Sequence, residues 1–189
     1  MVKNLIRKSL LEQGQLLSKN FVHKANIDIQ NAAIKHLDIK SSKNILSYFP
    51  YKNEVTLEII SQEFKKYKNN IFMPRIVSAN QLKFNLFKEN ATLEKNKYGI
   101  NEVKNEDYLD SASFDLMFIP FVGVDKGGYR LGYGGGYFDR SLGNISFTEK
   151  KPIIVGLGYD FQILEESFAE SHDLKYDIVI TQTRIHSYS

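Results

Sequence analysis

The 189-residue chain has no cysteine. That excludes a disulfide framework, thiolate zinc ligation and a cysteine nucleophile. It also lacks any run approaching the ~18 apolar residues of a membrane helix. Its start, Met1-Val2-Lys3-Asn4-Leu5-Ile6-Arg7-Lys8, has no uninterrupted apolar stretch of the signal-peptide kind. No serine stands in a Gly-x-Ser-x-Gly elbow. Charge of one sign is scarce too: 25 Lys and Arg against 22 Asp and Glu leave a net +3. The densest basic cluster, Lys65-Lys66 with Lys68, reads as the solvated end of a helix, whereas a nucleic-acid binder would concentrate its cations in a stripe. The four histidines form no metal-ligand spacing. The expectation is a cytoplasmic, monomeric protein of one domain, binding neither nucleic acid nor membrane, and long enough to bury a core unaided.

The apolar residues are patterned. Residues 2–17 space Leu5, Ile6, Leu10 and Leu16-Leu17 as an amphipathic helix, and Ser18 is placed to cap a second, in which Phe21, Ala25, Ile29, Ala33 and Leu37 recur. Asn44 to Phe49 is strand-like up to Pro50, and Leu57, Ile60, Phe64 and Tyr67 mark a helix from about Glu54 to Lys68. Ile71-Phe72-Met73 reads as a short strand stopped by Pro74, Leu82 to Phe87 as a half-exposed strand, and 88–112 as polar and loop-rich. Phe114 to Val124, Pro152 to Gly156 and Ile178 to Ile180 read as further strands, and 183–189 as a frayed tail. Continuous apolar strands separated by helices predict an α/β fold, a single-domain three-layer α/β/α sandwich with a mostly parallel sheet.

Half of the twelve glycines fall within residues 127–136, between the run Leu116 to Val122 and a helix start at Tyr137-Phe138-Asp139-Arg140. Each glycine costs about 0.5–1 kcal/mol more than alanine in ordering entropy, so the concentration asks for a reason. Bare amides leading into a helix, with Arg130 and Arg140 at the edges, suit phosphate oxygens. The window matches neither a P-loop nor the dinucleotide fingerprint, since no Gly-Lys-Ser/Thr follows and Tyr137 stands where a third glycine belongs. A surface loop or a sharp corner is the competing reading. Against it stand Tyr129, Tyr133, Tyr137 and Phe138, which suit stacking on a planar ring.

Several charged positions have two readings each. Asp139 can hold Mg²⁺ beside a phosphate, or simply complement the helix dipole. Asp173 can cap the element before the last strand or supply a second carboxylate. Lys3 and Arg7, four apart, share a helix face, as a polyphosphate clamp or a solvated pair. Glu54 follows a strand exit, where α/β sheets bind ligands, or opens a helix. Phosphate binding, a divalent cation and aromatic surface without a covalent nucleophile point to phosphoryl transfer.

The run Phe118 to Arg140, with its Arg-Leu-Gly-x-Gly-x-Gly-Tyr-aromatic-Asp segment, resembles the 5-formyltetrahydrofolate cyclo-ligase family. The resemblance extends through Lys3-x-x-x-Arg7, Tyr48 to Glu54, Met73-Pro74-Arg75, Tyr98-Gly99-Ile100 with Glu102, Gly158 to Gln162 and His172-Asp173. Two departures are Val103, where members often carry proline, and Asn4, where some carry a basic residue. What the resemblance implies is an ATP- and Mg²⁺-dependent conversion of 5-formyltetrahydrofolate to 5,10-methenyltetrahydrofolate. Position by position, it implies ATP on Lys3, Asn4, Leu5, Ile6 and Arg7 and on Arg130, Leu131, Gly132, Tyr133, Gly134, Gly135, Gly136, Tyr137 and Phe138. It implies folate on Phe49, Glu54 and Tyr133 to Tyr137, Mg²⁺ on Asp139 and Asp173, and catalytic roles for Arg130 and Tyr137. Sugar-phosphate isomerases and CoA transferases, relatives in fold, and an RNA-binding module are the competing functional classes.

Overall fold

The computed structural model describes residues 2–79, 81–143, 145, 150–170 and 172–188. The chain opens with α1 (Val2–Gln15) and α2 (Lys19–His36). Ser18 caps α2 as its position predicts, accepting the Phe21 amide at 3.2 Å. Strand β1 (Asn44–Leu46) follows, then α3 (Glu58–Tyr67), β2 (Asn70–Ser78) and β3 (Gln81–Leu86). β4 (Leu93–Lys95) and β5 (Asn101–Val103) pair only with each other, as do β7 (Gly123–Val124) and β8 (Arg130–Leu131), with β6 (Leu116–Phe118) before them. After α4 (Tyr137–Leu142) come β9 (Ile153–Leu157), β10 (Ile178–Ile180) and β11 (Ile185–Ser187). Among the described residues no helix is long and apolar enough to cross a membrane.

The main sheet has seven strands in the order β11-β10-β9-β6-β1-β2-β3. Its five inner strands are parallel, and β3 and β11 form antiparallel edges. Successive residues of the inner strands alternate between faces. Ile45, Leu116, Phe118, Val155 and Ile180 meet α2 and α3 in one core, while Leu46, Met117, Ile154 and Val179 enter another, shared with Leu142 of α4. The α/β/α sandwich is therefore uneven, its second outer layer being one short helix and connecting segments.

Four expectations are corrected. β2 does not stop at Pro74 but runs on to Ser78. β1 pairs with β2 only as far as Leu46↔Phe72, and Ser47 still donates to the Phe72 carbonyl. Beyond that point one side of β2 has no ladder to lose, so a residue without an N–H is tolerated. Residues 183–188 are not frayed: β11 pairs with β10, and the Tyr188 amide donates to Asp177 O at 2.8 Å. The Tyr188 ring packs directly on Gly128, whose φ of +85° and missing Cβ make room for it; Ser189, the end of that expected tail, lies outside the described residues. The loop-rich residues 88–112 also hold the short β4–β5 hairpin, whereas the expected strand Phe114 to Val124 divides at Pro120 into β6 and β7. Helix α3 begins at Glu58, which leaves Glu54 in the preceding loop.

Candidate active site

The chain leaves β1 toward β2 on one side of the sheet and leaves β6 toward β9 on the other. Adjacent parallel strands whose connections diverge create a crevice beyond their carboxyl ends, the usual ligand position in open α/β sheets. A cleft of about 200 Å³ lies there. The β1 exit contributes Tyr48, Phe49 and Glu54, and the β6 exit contributes Pro120. The opposite wall is Arg130, Tyr133, Gly135, Gly136, Tyr137 and Phe138, closed over by Tyr98 and Ile100 of the β4–β5 hairpin.

The glycine window is thus a wall of the cleft, not a detached surface loop. Its entrance is fixed by Asp125, fully buried, which accepts the Gly127 and Tyr129 amides at 2.9 Å and the Phe168 amide at 3.2 Å. Arg130, only 6% exposed, donates through Nε to Pro120 O at 2.8 Å and through a terminal nitrogen to Asp139 at 3.3 Å. Its guanidinium also lies 5.1 Å over the Phe138 ring. Helix α1 docks onto the same loop, with Arg7 Nε donating to Gly132 O at 2.7 Å. An added Cβ at Gly134, where φ is +100°, would sit 3.6 Å from the Arg7 guanidinium carbon. Burial and the nearby charge of Arg130 lower the Arg7 pKa below its ordinary value. Two guanidiniums from separate elements, close enough to disfavour one another, form a setting that an anion relieves.

Glu54 sits at the end of a tight turn in which Lys52 adopts φ +53° and the Glu54 amide donates to Tyr51 O. Its Oε2 accepts the Tyr51 amide at 2.7 Å. Burial raises its pKa from 4.5 to about 7, against the lowering effects of that hydrogen bond and of Arg130. Burial, and then the Glu54 charge, likewise push the Tyr133 phenol well up. Glu54 and Tyr133 separate the cleft from a second cavity of about 360 Å³, which runs along Leu10, Leu11 and Gly14 of α1.

Asp139 and Asp173 converge on one stretch of backbone, since Asp139 Oδ1 accepts the amide of Leu174 at 3.2 Å. Asp139 is paired with Arg130, and Asp173 with Lys3 at 2.6 Å. Lys3 also reaches Glu170 at 3.0 Å. Burial opposes the Lys3 charge, but the hydrogen bonds it donates to Asp173 and Glu170 and their charges outweigh it, and the pKa stays above the ordinary lysine value. Ligand atoms of Glu170, His172 and Asp173 lie within 4.8 Å of one another, a group that does not include Asp139. Carboxylate oxygens are the donor set a hard divalent cation takes.

A family model described as the 5-formyltetrahydrofolate cyclo-ligase family matches residues 1–182. The chain belongs to the 5-formyltetrahydrofolate cyclo-ligase family. It is 32% identical over 184 residues to the 5-formyltetrahydrofolate cyclo-ligase of Mycoplasma pneumoniae, covering 95% of this chain and 98% of the relative. The Haemophilus influenzae enzyme of that name is 30% identical, over 84% of this chain and 86% of its own. The Aquifex aeolicus 5,10-methenyltetrahydrofolate synthetase, solved by NMR, superposes with a TM-score of 0.84 at 25% identity, covering 100% of this chain and 93% of that one. The chain is therefore an enzyme of a ligase family in folate metabolism.

Most positions that the family resemblance singled out converge here. Phe49, Glu54 and Arg130 to Phe138 border the cleft or its loop, and Arg7 touches the loop. Asn4 joins through the Arg7 side chain, which donates to its Oδ1. Leu5 does not converge, being 67% exposed, while Ile6 packs into a small core with Leu10 and Leu131. Tyr137 stands at the mouth beside Tyr98 and lines the same cleft as the buried Arg130. Sequence reasoning missed Tyr51 and Tyr98, which line the cleft, although both fell within family-like segments.

Proposed function

We propose that this enzyme converts 5-formyltetrahydrofolate to 5,10-methenyltetrahydrofolate at the expense of ATP, with Mg²⁺ as cofactor and ADP and phosphate as products. The observation that carries the reading is the joint wall. Arg7 of α1 and Arg130 of the glycine loop flank backbone that opens onto an aromatic cleft ending in a buried carboxyl group.

The formyl group on N5 is an amide, so its carbon is a weak electrophile and its oxygen a poor leaving group. Transfer of the γ-phosphoryl group to that oxygen makes it a good one. N10 then attacks the formyl carbon, the carbon–oxygen bond breaks, phosphate departs and N10 loses its proton. The nucleophile belongs to the substrate, so proximity supplies the acceleration that an enzyme nucleophile would otherwise provide. The protein's tasks are positioning and charge neutralisation.

Lys3, Arg7 and the amides from Arg130 to Phe138 would hold the ATP phosphates. Arg130 faces the transferring group with its geometry already fixed by Pro120 O and Asp139. Charge-assisted hydrogen bonds of this kind contribute about 1.5–3 kcal/mol each. Phe49, Tyr133 and Tyr137 would pack on the folate rings, and Glu54 would accept a ring N–H. Asp139 and Asp173 would hold Mg²⁺, which supplies neutralisation of phosphate charge when bound. The test is an absorbance assay for methenylfolate. Product that forms only with ATP and Mg²⁺ supports the reading, and a protein that makes none, or makes it without ATP, removes it.

A further inference from the structure

The β4–β5 hairpin pairs with no strand of the main sheet, and Asn96, Tyr98 and Ile100 near its tip line the cleft. Tyr98 and Tyr137 bring their hydroxyls within 3.3 Å and their rings into edge contact at 6.3 Å. Lys97 lies over both rings, its Nζ 5.1 Å from the centre of Tyr98 and 5.8 Å from that of Tyr137. The hydrogen bonds it donates to the Tyr137 and Tyr98 hydroxyls hold its pKa above the ordinary lysine value, so it stays charged. Yet no described ion pair includes Lys97. On the same hairpin Glu94 is taken by Lys104, and Glu102 turns inward to the Ile76 amide and Asn96. A cation seated on two rings at a cleft mouth, without a carboxylate of its own, is an anion site.

The cleft also indicates which anion. About 200 Å³ is less than the roughly 300 Å³ at the small end of pockets that enclose a drug-sized ligand. A reduced folate whose formyl group must reach Arg130 can place its ring system inside, but not its glutamate. Resting on the function proposed above, we infer that Lys97, on its Tyr98–Tyr137 seat, binds the glutamate carboxylates of the folate and so distinguishes substrates by their anionic tails. Lys52 is the other cation of this build, 5.1 Å over Tyr51 and 5.7 Å over Tyr133, but it opens on the second cavity along α1, the helix carrying Arg7.

The test compares 5-formyltetrahydrofolate with 5-formyltetrahydropteroate, which lacks the glutamate, in the wild type and in Lys97→Met, Lys97→Arg and Lys52→Met. Methionine keeps the aliphatic stem over the rings and removes only the charge. For the full substrate, Lys97→Met should raise KM about threefold to tenfold at low salt, and Lys97→Arg should restore it. The increase should shrink in 0.5 M salt, as screening requires. For the pteroate, KM in Lys97→Met should equal the wild-type value. An equal rise for both substrates, no rise for either, or a glutamate-dependent loss in Lys52→Met alone would overturn the inference. A wild type that yields no methenyl product from either substrate removes the proposed function together with it; normal wild-type turnover with a silent Lys97→Met removes the inference alone.

Discussion

Glu54 offers the sharpest thermodynamic test of the site. Its carboxyl group is held by a backbone amide in a turn between two cavities, and burial places its pKa at about 7 instead of 4.5. Below pH 4.5 both the folded and the unfolded chain carry the proton, and Glu54 contributes nothing pH-dependent. Between 4.5 and 7 the unfolded chain ionises while the folded protein resists. Stability therefore falls as pH rises through this window and levels off above about 7. At 1.36 kcal/mol per tenfold change in proton affinity, the loss is about 3 kcal/mol. This is an upper value, because Glu54 keeps some exposure toward the cavities. The perturbation is Glu54→Gln, which cannot ionise and keeps an oxygen for the Tyr51 amide. Its extra N–H₂ group brings a pH-independent cost of about 1–3 kcal/mol if it finds no partner, so the informative quantity is a difference of slopes. Urea unfolding of both proteins from pH 4.5 to 8.5 supplies it. The stability of Glu54→Gln relative to wild type should improve by about 2–3 kcal/mol across that range. A constant difference would mean that Glu54 titrates alike in the folded and unfolded chain, and the account of its environment would fail.

Three further outcomes are expected. Lys3 occupies the Asp173 oxygen that the proposed cation would use, so Lys3→Met should bind Mn²⁺ several-fold more tightly without ATP, read from the free-ion EPR signal; equal affinities would show that the ion pair does not compete. Gly134→Ala forces a side chain into φ +100° at a strain of about 1–3 kcal/mol, so the loop should shift against Arg7, ATP affinity should drop about tenfold or more, and the melting temperature should fall by several degrees. Unchanged ATP affinity in that variant would take the loop away from the nucleotide. Asp125→Asn presents an amide donor to the amide hydrogens of Gly127 and Tyr129 or to that of Phe168, and should cost about 2–4 kcal/mol of stability in thermal or urea unfolding; a loss under 0.5 kcal/mol would contradict the buried clamp.

How much of this was legible without coordinates differs between parts. The helical spacing of Ala25, Ile29 and Ala33 and the cap at Ser18 were readable because each is a local pattern with a local cause. Pro74 and the tail misled for one reason. Whether a proline ends a strand depends on what lies beside it, and whether 185–187 pairs depends on β10 having a free edge. In the site, the glycines and arginines announced a ligand. The positions of Tyr51, Lys52 and Lys97 did not, because ordinary lysines and tyrosines gain meaning only when folding stacks them on one another.

By itself the chain determined the class of fold, the place of the phosphate-suited loop and the family, since periodicity, glycine content and motif order are properties of residues near one another in sequence. Tertiary structure alone decided that Arg7, 123 positions before Arg130, shares its wall. It likewise decided that Asp139 accepts the amide of Leu174, the neighbour of Asp173, and that Glu54 is buried enough to hold its proton near neutrality. The physical reason is that charge interactions and desolvation depend on distance through space. Spacing along the chain constrains that distance only within an element, whereas the crevice gathers residues from β2, β3, β5, β8 and α4 and from the loops between them.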